Sequence, residues 1–194
     1  MGLRSIFTGR SQVKPPAARE RLFALTTAYV TLETSYSITS AGAAGIAVQA
    51  LATSDFTAML KDTEAVVGGT AGDMKATVET RDDEYGFRWV VVRTPAVEDQ
   101  VVAINGVSSS VESAGYGERL LCAVFAFKDE HGAAINFIYN YKRGSWYPFV
   151  PAGNQDRNTE RELQLKAQIG DELPIEAELE RWFPLWGAPV LAAG

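Results

Sequence analysis

The residues best suited to covalent chemistry in this chain are its single cysteine, Cys122, and its single histidine, His131. A thiol becomes a strong nucleophile when a neighbouring imidazole accepts its proton, so this chemistry requires the two side chains in contact. Cys122 lies inside the apolar run 120–127, whereas His131 lies in a polar turn beyond the end of that run. Because an extended strand advances about 3.3 Å per residue, we expect the pair to be held apart and to perform no catalysis.

Paired carboxylates are the second group with catalytic potential, since two acids in a cleft can serve as general acid and general base. Adjacent acidic residues occur at Asp82-Asp83-Glu84, Glu98-Asp99, Asp129-Glu130 and Asp171-Glu172. The surrounding residues predict turns or a helix start, where solvent keeps both carboxylates ionised. We therefore interpret these pairs as solvated charges and helix-start charges.

The sequence lacks the residues that usually form metal and phosphate sites. A zinc site built from several cysteines or histidines is excluded by the single copy of each, and the two glycines at Gly115 and Gly117 are not followed by a third. We predict no catalytic residue, no metal and no cofactor, and hence that the protein is not an enzyme.

The length of 194 residues predicts one domain with a substantial core, and the net charge of -6 is unevenly distributed. Residues 1–21 carry five basic side chains against one acidic side chain, a charge of +4, so the rest of the chain carries -10. An acidic body repels phosphates, and we therefore expect no nucleic-acid partner. We divide the chain into a basic N-terminal arm and linker, 1–17, and a single domain, 18–194.

The basic arm has the pattern of a short amphipathic helix. Its apolar residues stand at spacings of three and four, with basic residues beside them, and the candidate membrane-surface residues are Leu3, Arg4, Ile6, Phe7 and Arg10. Weak contact with an anionic membrane is one interpretation; an N-terminus that folds back onto the body is the other. Lys14-Pro15-Pro16-Ala17-Ala18 predicts a stiff, poorly helical linker.

The hydropathy pattern predicts neither a transmembrane helix nor an export signal. No stretch approaches the roughly 18 consecutive apolar residues of a membrane span, and no apolar run of the signal-peptide type follows the first basic residues. We expect a cytoplasmic protein, with peripheral contact at a membrane surface if the arm binds there.

The body reads as an α+β fold, because its strands come in adjacent runs with helices between the runs. A largely antiparallel sheet is predicted, made of a hairpin and then a three-stranded meander and packed against helices. Strands are expected at 46–48, 75–80, 87–94, 120–128, 133–142 and 146–150. Helices are expected at 18–25, 55–67 (ended by Gly68-Gly69), from Thr94 as cap to Gly115, at 156–169 and at 175–183, whereas 29–38 fits a strand or a helix.

Aromatic side chains are concentrated in the last 70 residues. Most belong in the core, and Ile135, Phe137, Tyr139 and Tyr141 share one strand face. Some, however, lie near turns and basic residues, where Trp and Arg typically anchor protein interfaces. We consider an exposed partner patch there alongside C-terminal core packing; the patch residues would be Lys142, Arg143, Trp146, Tyr147, Trp182 and Trp186.

The sequence resembles the PspA-associated protein PspAB family over nearly the whole chain, and its C-terminal half is the specific part of the resemblance. The resemblance is carried by the runs 120–127, 139–149, 170–174 and 179–187, together with 89–93 and the start Met1-Gly2-Leu3. It implies a cytoplasmic accessory of the phage shock protein system, which protects the inner membrane through PspA, and it brings no catalytic motif.

Two functions therefore compete. The first is a non-enzymatic interaction protein of the envelope-stress response that binds PspA or a PspA-associated protein. The alternative is a small-molecule or peptide-binding module, or an enzyme of unrecognised type, with a pocket between the sheet and its helices. The polar groups of that pocket would be Asn136, Asn140, Tyr141, Arg143 and Arg157.

Overall fold

The computed structural model describes residues 15–71 and 76–191, with side chains described for 20–69 and 76–191. Within these ranges, four α-helices and a six-stranded open sheet form the framework. The elements in chain order are α1 (Pro15–Tyr36), β1 (Thr39–Gln49), α2 (Ser54–Ala71), β2 (Thr77–Asp82), β3 (Phe87–Arg93), α3 (Val97–Ser113), β4 (Leu120–Lys128), β5 (Ala134–Asn140), β6 (Ser145–Phe149) and α4 (Thr159–Ile169).

The sheet has the strand order β2-β3-β1-β4-β5-β6, and every neighbouring pair is antiparallel. β1 lies in the middle and joins the β2–β3 hairpin to the β4–β5–β6 meander. The predicted α+β fold, with its hairpin, its meander and its antiparallel sheet, is confirmed.

One face of the sheet packs against the helices. Alternate strand residues such as Ile46, Val90 and Phe125 point to this face and are completely buried, together with Val101 and Val107 of α3. Burying one such side chain contributes roughly 1.5–3 kcal/mol, so this layer holds the helices in place.

The opposite face is covered by the segment 182–191, which we call the C-terminal segment. Its contacts with the sheet come from Trp182, Leu185, Ala188 and Val190. The approach is close at Gly45 of β1, because a Cβ on this residue would overlap Cγ2 of Val190. Gly45 thus makes room for the segment.

Several predicted boundaries in the first half are wrong: the strands expected at 46–48 and 75–80 are Thr39–Gln49 and Thr77–Asp82, and both helices are longer than expected. α1 begins at Pro15 and runs through the ambiguous stretch to Tyr36, so residues 15–18 are helical rather than a linker. Proline is well suited to a first helical turn, where its missing N–H would have had no partner. α2 continues through Gly68 to Ala71, because glycine lowers helix stability but does not forbid the helix.

The observed starts of α3 and α4 also differ from the predicted ones. α3 begins after Ala96, and the backbone N–H of Thr94 instead donates to the carbonyl of Gly42 at 3.1 Å. α4 begins at Thr159, later than the predicted start at 156, because Asn158 caps it by accepting the backbone N–H of Arg161 at 3.0 Å.

The predicted helix at 175–183 is wrong, since only a short 3₁₀ turn, Leu179–Arg181, forms there. The preceding residues extend the sheet edge instead: Trp146 donates its backbone N–H to Pro174, and Glu176 donates to Trp146, at 2.9 and 2.8 Å. Pairing with β6 therefore replaces the helix that the local sequence pattern predicts.

Of the helices in the described ranges, none combines the length and apolar character that crossing a membrane requires. The division of the chain at residue 17 stays a prediction.

Candidate functional site

The proposed partner patch is not exposed as one surface. Trp146, Tyr147 and Trp182 are only 0%, 1% and 4% exposed, so the prediction that they are accessible is wrong. Trp146 points to the helix side, where its indole N–H donates to the carbonyl of Arg21 at 2.8 Å. Tyr147, the next residue along β6, points to the other face, because successive strand residues alternate.

The remaining patch residues are half-buried. Lys142 and Arg143 lie in the β5–β6 turn, and a role for them in partner binding stays a prediction. Trp186 lies in the C-terminal segment and packs edge-to-face on Phe149, with ring centroids 4.9 Å apart. The structure thus brings Trp186 together with Tyr147 and Trp182 on the sheet face opposite to the helices, away from Trp146.

Two polar residues of the alternative pocket, Asn140 and Asn136, form hydrogen bonds with backbone groups. The Asn140 side-chain oxygen accepts the backbone N–H groups of Lys142 and Arg143 at 3.1 and 3.2 Å. Asn136 is 1% exposed, and its amide donates to the carbonyl of Phe149 at 3.4 Å.

A cavity does exist, on the opposite face of the sheet. We call it the aromatic pocket. It measures about 50 Å³, and its lining residues are Ala47, Asp83, Tyr85, Phe87, Trp89, Leu121, Cys122, Pro184, Leu185, Trp186 and Ala188.

The floor of the aromatic pocket is a row of three neighbours across the sheet. Ala47 of β1 lies opposite Trp89 of β3 on one side and opposite Cys122 of β4 on the other. A register shift after Ala47 places Leu121 on the same face as Cys122. The small alanine between larger neighbours gives the pocket its depth.

Two walls rise from this floor. The β2–β3 hairpin supplies Asp83 and Tyr85 from its turn and Phe87 from the start of β3, and the C-terminal segment supplies Leu185 and Trp186.

Asp83 is held in place by three donors. Its Oδ1 accepts the backbone N–H groups of Tyr85 and Phe87, both at 2.9 Å, and its Oδ2 accepts the indole N–H of Trp89 at 2.8 Å. A carboxylate with this set of partners is fixed in orientation and stays at the pocket wall.

The charges around the pocket are unbalanced. Asp82 is neutralised by Arg88, whose Nε and Nη2 lie 2.7 and 3.0 Å from its two oxygens, and this pairing lowers the pKa of Asp82. Among the described residues, no basic side chain forms an ion pair with Asp83 or Glu84. A Cβ on Gly187 would lie 3.3 Å from Oε1 of Glu84, so this carboxylate reaches the C-terminal segment.

The thiol of Cys122, on the pocket floor, is a poor nucleophile. Burial, and secondarily the charge of Asp83, raises the pKa of Cys122, so the thiol stays protonated at neutral pH. His131 is exposed in the β4–β5 turn beside Glu130. The strand from Cys122 to Lys128 alone is about 20 Å long, so Cys122 and His131 lie far apart.

The sequence analysis missed the aromatic pocket, although a signal was present. Tyr85, Phe87 and Trp89 occupy alternate positions, which on a strand places them on one face directly beside the acidic turn. The C-terminal wall had no such signal, because 175–183 was predicted to be a helix. The arm residues Leu3, Arg4, Ile6, Phe7 and Arg10 lie outside the described residues.

The resemblance to a known family is confirmed by a match to the model of that family, and not by any individual protein. No curated protein and no solved structure matches the chain. The model of the family described as PspA associated protein B, PspAB, matches residues 1–190. Because this match covers nearly the whole sequence, the chain belongs to the PspAB family.

Proposed function

We propose that this protein is a non-enzymatic accessory of the phage shock response that binds PspA, or a companion protein of PspA, near the inner membrane. The observation that carries the proposal is the match to a family described as PspA associated, over residues 1–190.

The chemistry of the described residues supports a role without catalysis. The one cysteine is buried and protonated, and the one histidine lies in a distant exposed turn. In the acidic turn at 82–84, Asp82 pairs with Arg88, and Asp83 accepts the indole N–H of Trp89. These groups hold a binding surface in shape.

Co-purification tests the proposal. The full chain carries a tag and is recovered from its native cells with and without membrane stress, beside the same tag on an unrelated acidic protein of similar size. We expect PspA or a companion to be enriched on this chain alone, and purified PspA to bind the purified chain. If neither PspA nor a companion is enriched under either condition, the proposal is wrong.

The location at the cytoplasmic face of the inner membrane belongs to the same proposal. Support comes from the family description and from the basic, apolar pattern of Leu3, Arg4, Ile6, Phe7 and Arg10. Cell fractionation tests it: we expect the protein in the soluble cytoplasmic fraction, with a share on the inner membrane that high salt removes.

The aromatic pocket favours a second candidate, a small-molecule or peptide-binding module. Its aromatic lining with one fixed carboxylate is a common composition for a binding site, although the cavity is small. Thermal unfolding in the presence of a metabolite panel tests this function. A compound that raises the melting temperature of the chain supports it, and no shift across the panel dismisses it.

A further inference from the structure

We propose that the aromatic pocket binds a basic side chain, arginine or lysine, of a protein partner. This inference deepens the proposed function and rests on it, because it names the kind of contact through which the partner is recognised.

The aromatic side chains of the pocket suit a cation. Tyr85, Phe87, Trp89 and Trp186 all line one small cavity, and Tyr85 is 48% exposed at its mouth. An ammonium or guanidinium group near the face of such a ring is attracted by the negative charge of the π system, most strongly by Trp. Trp186 is held by its edge-to-face contact with Phe149, so this wall is ordered before a ligand arrives.

The negative charges at the pocket favour a cationic ligand. Asp83 lines the cavity, and Glu84 lies beside it against Gly187. Arg88, a basic residue of the same hairpin, is committed to Asp82 through two hydrogen bonds. An anionic ligand would be repelled here, and a neutral one would remove water from the Asp83 and Glu84 carboxylates without compensating their negative charge.

The shape of the pocket suits a cation on an aliphatic stem. Leu121, Leu185 and Ala188 provide an apolar lining beside the rings, and Ala47 leaves depth at the floor. Lysine and arginine bury their methylene groups against such surfaces while the charged end reaches a polar group. Arginine fits best, because its planar guanidinium stacks on aromatic rings and donates to carboxylates in a fixed geometry.

The first test uses small probes on the full chain. N-acetyl-argininamide carries the charge and the stem; N-acetyl-norleucinamide carries the stem alone. We expect argininamide to shift the indole N–H resonances of Trp89 and Trp186 in a ¹⁵N-labelled sample, and norleucinamide to bind at least about tenfold more weakly. Equal binding of the two probes, or no binding of argininamide, overturns the inference.

Paired variants connect the pocket to the partner. Tyr85→Ala with Glu84→Gln removes an exposed ring and one charge at the pocket. Leu179→Ala with Glu180→Gln removes an exposed apolar side chain and one charge outside the pocket lining, and is the control. We expect the pocket variant to bind argininamide and purified PspA, or the co-purified companion, about tenfold more weakly, and the control to bind both as the wild type does.

The outcomes separate the two proposals. If the partner binds the wild type and the pocket variant equally, the inference is overturned while the proposed function stands. If no partner binds the wild type, the proposed function fails, and a partner-binding role of the pocket fails with it, even where argininamide binds. If argininamide binds only after residues 1–14 are removed, the chain's own basic arm is the occupant, and the assignment to a partner is overturned.

Discussion

The carboxylate of Glu162 lies 2.6 Å from Nη2 of Arg157, although the Glu162 side chain is completely buried. Glu162 also accepts the backbone N–H of Val150 at 2.9 Å, and Arg157 donates through Nη1 to the carbonyl of Trp182, also at 2.6 Å. One ion pair therefore joins α4, the end of β6 and the start of the C-terminal segment. The same C-terminal segment supplies Leu185 and Trp186 to the aromatic pocket.

Replacing Glu162 by Gln removes the charge with almost no change of volume. Because the Arg157 guanidinium is then left largely buried without an anion, we expect a loss of about 3–5 kcal/mol in the free energy of unfolding. Urea unfolding of the full chain measures it. Glu160→Gln, on an exposed position of the same helix, is the matched control and is expected to change stability by less than about 0.5 kcal/mol. Equal stability of the two variants would contradict the role of the pair.

Adding a methyl group at Gly45 should displace the C-terminal segment. A Cβ there overlaps Cγ2 of Val190, so Gly45→Ala is expected to cost about 1–3 kcal/mol, although alanine suits a strand backbone. Val190→Ala removes the overlapping group. A double-mutant cycle measured by urea unfolding should show that the two substitutions together cost less than their sum. Strict additivity would show that the two residues do not meet.

Replacing glycine by alanine at Gly68 should stabilise the protein, whereas the same replacement at Gly45 should destabilise it. It lies inside α2, where an added Cβ would meet nothing within 4 Å. Alanine loses less conformational freedom than glycine on entering a helix, so Gly68→Ala should stabilise the protein by about 0.5–1 kcal/mol. Thermal unfolding measures the effect, and a lower melting temperature than that of the wild type would count against the helix at this position.

Alkaline pH should destabilise the fold through its buried phenols. Burial raises the pKa of Tyr139, Tyr141 and Tyr147 above the ordinary value of 10.0. Their contribution to stability is therefore complete below that value and is lost as the pH rises above it, because the unfolded chain releases these protons first. Phenolate absorbance should show these tyrosines ionising only with unfolding; ionisation of all seven tyrosines near pH 10.0 in the folded state would refute this.

Local patterns were sufficient to predict most of the sheet. Strands β4 to β6 and the β2–β3 hairpin follow from alternation and from turn residues such as Gly132 and Gly144, which adopt positive φ angles of 83° and 62°. The central position of β1 did not follow, because pairing between distant segments leaves no periodic signal in either one. The stretch 175–183 was mispredicted for the same reason: its partner is the edge of β6, not its own next turn.

The binding surface was harder to predict than the fold. Trp146 and Trp182 lie near turns in the sequence, which suggested exposure, but each indole N–H donates to a backbone carbonyl, that of Arg21 and that of Glu176. The aromatic pocket instead combines a hairpin turn with a segment about a hundred residues later. Only the fold brings Tyr85 and Trp186 to one cavity.

The basic arm supplies the remaining prediction, which concerns membranes. Three apolar side chains, Leu3, Ile6 and Phe7, contribute at most roughly 1.5–3 kcal/mol each to membrane binding, and each nearby basic residue adds about 1 kcal/mol at an anionic surface. Ordering a short helix cancels part of this gain, so binding should be weak and reversible. We expect partial flotation of the full chain with anionic vesicles and much less with neutral ones.

Flotation of two variants locates the contact. Removing residues 1–14 leaves α1 intact, because that helix begins at Pro15, and should abolish flotation. Replacing Leu3, Ile6 and Phe7 together by Ser should have nearly the same effect, since the charge alone is screened at physiological salt. Ser5→Ala is the control within the same stretch of sequence and should float like the wild type. Equal flotation of the truncated and full-length chains would show that the arm has no part in membrane binding.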